Sequence, residues 1–86
     1  MNNETLVNAQ AKALQLMETR RDMLLLRQRY EDDMLKLDSN DPFIREKMSL
    51  KMRYESEMLV LKMRCRILRK EIATSIASCV SLLRTQ

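Results

Sequence analysis

The side chains with the strongest claim on chemistry are two cysteines, Cys65 and Cys79, and one adjacent carboxylate pair, Asp32–Asp33. Paired thiols suit zinc or redox work, but these are fourteen residues apart in a chain with no histidine, which makes neither a zinc set nor a redox pair. On a helix they would lie ~21 Å apart, beyond the reach of a disulfide. Buried free thiols on an apolar face are the expectation, and reduced thiols fit a cytoplasmic location. Asp32 and Asp33 diverge by about 100° on a helix, so they form solvated surface and not a general acid/base dyad. Histidine is absent, removing the commonest acid/base residue, and glycine is absent, removing the loops that cradle phosphates. The chain is therefore expected to be non-enzymatic, with no cofactor and no metal.

What positions the remaining residues is helix. The 86 residues contain no glycine and one proline, Pro42, and these are the strongest local punctuators of structure. The cluster of turn formers is Asp38-Ser39-Asn40-Asp41-Pro42. Asp41 suits an N-cap and Pro42 a first helical position, and proline also keeps Asp41 out of helical geometry. With 45% hydrophobic, 33% charged and 3% aromatic residues, the composition is that of long helices and coiled coils. The fold class expected is all-α: two long antiparallel helices forming a helical hairpin or coiled coil. It is one domain over 1–86, with helix 1 at about 4–37 capped by Asn3, a turn at 38–41 and helix 2 at about 42–83. Helix 2, at ~60 Å, would overshoot helix 1, at ~50 Å, unless a partner continued beyond it.

The apolar positions of helix 1 run through Leu6, Ala9, Ala13, Leu16 and Met17, then Met23, Leu24 and Leu26, then Tyr30, Met34 and Leu37. Glu18-Thr19-Arg20-Arg21-Asp22 interrupts them, a weak point and a candidate joint. Helix 2 carries a principal stripe of Phe43, Leu50, Tyr54, Met58, Leu61, Cys65, Leu68, Ile72, Ile76, Cys79 and Leu83. Beside it runs a second row, Ile44, Met48, Met52, Leu59, Met63 and Ile67. Together these exceed the two-in-seven seam of a simple coiled coil. Two helices are a thin object, so such a face is expected to meet another chain.

The residues expected to bind that partner are Leu50, Tyr54, Met58, Leu61, Cys65, Leu68, Ile72 and Ile76, with Met48, Met52 and Met63 at the edge. Methionine is flexible and polarizable, which suits an adaptable groove. Net charge is +4, concentrated in Lys62, Arg64, Arg66, Arg69 and Lys70 with no acid from Met58 to Lys70. Met63, Cys65, Ile67 and Leu68 interleave with these cations, so the five cannot all point one way. No aromatic platform for bases accompanies them, which favours an acidic partner protein over nucleic acid. Met1-Asn2-Asn3-Glu4 has no basic stretch leading into an apolar core, so no secretory leader is expected. No run approaches the ~18 apolar residues of a membrane span.

Size and two helices meeting at Leu37-Asp38-Ser39-Asn40-Asp41-Pro42 make the chain resemble the small helical-hairpin proteins of bacterial type III secretion systems. It is closest in style to the cytoplasmic E component, a co-chaperone of needle export. Needle subunits also place a Pro-containing turn between two helices, and Phe43 to Tyr54 resembles the start of their second helix. The resemblance implies a cytoplasmic protein that covers an apolar helix of its client and prevents premature assembly. The alternatives carried forward are a self-assembling subunit, either a needle-like filament or a four-helix-bundle dimer, and a basic hairpin dimer that binds nucleic acid.

Overall fold

Leu, Met, Ala, Glu, Lys, Arg and Gln dominate both limbs, and all favour helix. In the computed structural model, which describes residues 2–37 and 44–84, the chain forms α1 over Asn2–Leu37 and α2 over Ile44–Arg84. No strand occurs among the described residues. The turn formers at 38–42 and Phe43 lie outside them. Glu4 sits in the first turn of α1 and Lys36 in its last, Glu46 and Arg84 likewise in α2, each complementing the helix dipole. α1 already begins at Asn2, so Asn3 lies inside the helix and not before it.

Three cross-helix pairs define the packing. Tyr30 stacks on Tyr54 with ring centroids 4.2 Å apart and planes 18° from parallel. The Cys65 thiol donates to the Met23 sulfur at 3.7 Å, and Lys12 Nζ meets Glu71 Oε2 at 3.0 Å. Residue numbers fall along α1 as they rise along α2, so the helices are antiparallel. They make a hairpin measuring 68 × 15 × 13 Å.

The seam is legible in the burial. On α1 the buried and half-buried positions include Thr5, Ala9, Lys12, Leu16, Thr19, Met23, Leu26, Tyr30, Asp33 and Leu37. These alternate steps of four and three, the coiled-coil repeat. On α2 the matching set is Lys47, Leu50, Tyr54, Met58, Leu61, Cys65, Leu68, Ile72, Ser75 and Cys79. The core proper is small: among the described residues, Met58, Cys65 and Leu68, with Thr19, are the buried ones.

Thr19 corrects one expectation. The charged stretch Glu18–Asp22 does not break α1, which is continuous through it. Its second residue, Thr19, occupies a seam position and is 3% exposed. The Thr19 hydroxyl donates to the Gln15 carbonyl at 2.8 Å, so burial leaves no polar group unsatisfied.

Nor does α2 overshoot at its C-terminal end. The Tyr30–Tyr54 and Lys12–Glu71 pairings, carried outward, bring Thr5 level with Cys79 and the start of α1 close to the end of α2. The extra length of α2 is taken up near the turn, where Ile44, Arg45 and Glu46 precede its first seam residue, Lys47.

Candidate partner-binding surface

Two helices sharing one seam leave most of each cylinder uncovered. Seventeen large hydrophobic side chains are exposed among the described residues, against three buried hydrophobic ones. The accessible surface is 7241 Å², whereas a compact globule of 10.2 kDa exposes about 5,300 Å². The excess, roughly 1,900 Å², exceeds the ~800 Å² that one partner commits to a standard protein interface.

The expected partner-binding residues divide between seam and surface. Leu50, Tyr54, Met58, Leu61, Cys65, Leu68 and Ile72 belong to the seam, where α1 covers them. Met48, Met52, Met63 and Ile76 are exposed, at 61%, 67%, 54% and 54%. So the principal stripe of α2 from Leu50 to Ile72 closes the hairpin on itself, while its members Ile76 and Leu83 and the whole second row stay exposed. Every member of that row, from Ile44 to Ile67, is exposed.

Sequence reading missed the share of α1 in this surface. Leu6, Met17 and Leu24 stand outward, although they read as part of the inward stripe. The strict alternation of threes and fours from Thr5 to Leu37 is the signal that separates them. It places Leu6, Met17 and Leu24 one step off the seam. Of the two thiols, Cys65 is buried and Cys79 only half-buried, and both are free.

The seam also sorts the charges onto two flanks, because residues just after its d-type positions lie on one side and residues just before its a-type positions on the other. Following Thr19, Leu26, Leu61 and Leu68 come Arg20, Arg27, Lys62 and Arg69, all cations and all exposed. Arg66, directly after Cys65, joins them. Preceding Met23, Tyr30, Met58, Cys65 and Ile72 come Asp22, Arg29, Glu57, Arg64 and Glu71, which mix both signs. Thus the cations of the 62–70 segment do separate: Arg64 goes to the mixed flank, and two arginines of α1 replace it on the basic one.

The mixed flank is furrowed. Grooves follow one another along it, from Lys36, Arg45 and Ser49 near the turn to Gln15, Ile67 and Glu71 beyond mid-rod. The section over Leu25, Leu26, Val60 and Leu61 is rimmed by Asp22, Arg29 and Glu57 and has a volume of about 410 Å³. Its apolar floor and alternating rim suit a further helix. Among the described residues, the interhelical Lys12–Glu71 pair closes, partly exposed and worth at most ~1 kcal/mol. Among the described residues, Arg27–Glu31, Arg29–Asp33, Lys51–Glu55 and Arg53–Glu57 do not close as ion pairs.

No group of three His, Cys, Asp or Glu side chains is placed to hold a metal among the described residues. No helix among them is long and apolar enough to cross a membrane. No protein-family profile, curated protein or solved structure matches the chain.

Proposed function

We propose that this chain is a non-enzymatic, protein-binding helical hairpin that covers an amphipathic helix of a client protein. The working context is that of a small cytoplasmic secretion co-chaperone, which the resemblance to type III secretion hairpins implies. The mechanism is occlusion. The exposed rows of α1 and α2 take the apolar stripe of the client and deny it to other copies of the client. One observation carries this reading: the hairpin exposes 7241 Å² against about 5,300 Å² for a compact chain of its mass, with Met48, Met52, Leu59 and Met63 in the exposed set. The test is to purify the full chain alone. Dye binding to apolar surface together with a fixed-ratio complex on adding a client supports the proposal. A stable monomer that binds no such dye refutes it.

A second reading, a self-assembling subunit, draws on the furrowed flank. Asp22, Glu57 and Glu71 alternate there with Arg29 and Arg64, so two such flanks can oppose each other with matched signs and close a four-helix bundle. Sedimentation against concentration separates the cases. A bundle saturates at two chains, a filament grows without limit, and a client-binding hairpin stays small until its client is added.

A further inference from the structure

The other flank cannot match itself. Arg20, Arg27, Lys62, Arg66 and Arg69 are contributed by both helices and occupy roughly 18 Å of the rod's length. They sit about its midpoint, beside the buried Thr19 and Cys65. The acids of the same stretch, Glu18, Asp22, Glu57 and Glu71, follow the seam's other side. The fold thus concentrates like charge over this stretch; Glu31 and Glu55, each directly after a seam tyrosine, follow on the same flank toward the turn and do not close on Arg27. Exposed apolar side chains flank the cations, including Met17 and Leu24 of α1 and Leu59 of α2.

We propose that this basic flank is the docking site for an acidic amphipathic helix of a partner protein, an inference that rests on the protein-binding reading above. A second copy of the chain does not fit. The belt lies at mid-rod, so a two-fold that overlays two such flanks in full sets cation on cation, whether the rods run parallel or antiparallel. The furrowed flank of another copy offers Asp22, Glu57 and Glu71 interrupted by Arg29 and Arg64, and its Glu71 is already held by Lys12 at 3.0 Å. Nucleic acid would neutralise the cations but leave Met17, Leu24 and Leu59 in water. The tyrosine rings, the side chains suited to stacking on bases, are instead stacked on each other in the seam. A helix with an apolar stripe edged by Glu or Asp meets both demands at once. Its carboxylates lie over the arginines and its apolar side chains beside Leu24 and Leu59.

The test uses the full-length chain and two synthetic helical peptides of equal length and identical leucine stripe, one edged with Glu and the other with Gln. Fluorescence anisotropy is expected to give at least about tenfold tighter binding of the Glu peptide at low salt, narrowing as salt rises. Arg69→Glu is expected to abolish that preference, while Arg64→Glu, the same charge change on the furrowed flank, keeps it. Unaltered melting curves show that both variants are folded. Equal binding of the two peptides overturns the acidic-partner inference and leaves the protein-binding reading standing. Binding of neither peptide overturns both. Displacement of the Glu peptide by a DNA duplex or by phosphatidylglycerol vesicles at lower concentration overturns the inference in favour of a phosphate-bearing partner.

Discussion

Leu68 and Ile76 test the separation of seam from surface. Both are branched aliphatic residues of α2, both read as one stripe in the sequence, and the fold treats them oppositely: Leu68 is 5% exposed and Ile76 54%. Truncating a buried leucine to alanine costs 2.7–5 kcal/mol in a well-packed core. A seam only two helices thick can close partly over the gap, so Leu68→Ala is expected to cost ~2–3 kcal/mol. Ile76 already leaves half of its surface in water, so Ile76→Ala is expected to cost less than ~1 kcal/mol. For a chain of this length each kcal/mol moves the melting point by about 4–8 °C. Leu68→Ala should therefore melt ~8–24 °C below the parent, and Ile76→Ala within about 8 °C of it. Circular dichroism at 222 nm, heated and repeated in urea, reads both. Coincident melting of the two variants, or a lower melt for Ile76→Ala, would refute the seam as drawn.

Three further outcomes follow from the same geometry. Replacing Met48 and Met52 together by serine should leave the melt within about 0.5 kcal/mol of the parent, while reducing dye binding and concentration-dependent association measured by sedimentation. A thiol reagent should label Cys79 at once and Cys65 only as fast as the hairpin opens, because Cys65 is 3% exposed; equal rates in the folded chain would contradict the burial of Cys65. Glu71→Gln should cost no more than ~1 kcal/mol, and salt should shrink that cost, since both partners of the Lys12–Glu71 pair are part-exposed; denaturant curves at two salt concentrations decide it.

The hairpin was legible in the sequence because punctuation is so sparse: without glycine and with Pro42 as the only proline, there is one place to turn. The site was half legible. On α2 the principal stripe and the second row are both apolar, and hydrophobicity alone does not say which one α1 will cover. Periodicity decides it, and on α1 the period was hidden by chemistry. Lys12, Thr19 and Asp33 hold seam positions, while Leu6, Met17 and Leu24 stand outward, so a reading that follows greasy residues is drawn off the true line. Long side chains explain part of this. Lys12 lays its stem across the seam and carries its charge out to Glu71. Thr19 returns its hydroxyl to its own helix. The flank assignment of the cations was illegible for the same reason, since it requires the seam first.

The spacing of α2 shows where a partner helix would find the least-wound stretch of the hairpin. From Met58 to Cys79 its seam alternates threes and fours like that of α1, the period of a left-handed supercoil. From Lys47 to Met58 the steps are three, four and four, an eleven-residue repeat that locally unwinds that supercoil. The Tyr30–Tyr54 stack falls within this stretch. Two flat rings there fill the seam where the spacing of α2 departs from the three–four repeat. Met48 and Met52, the most exposed methionines of α2, lie on the outside of this segment. The aromatic pair fills the seam beneath, and the unbranched side chains above it can shift to meet an incoming stripe. Packed rings and adaptable side chains thus belong to different layers of one short segment, and the occlusion proposed above would draw on both.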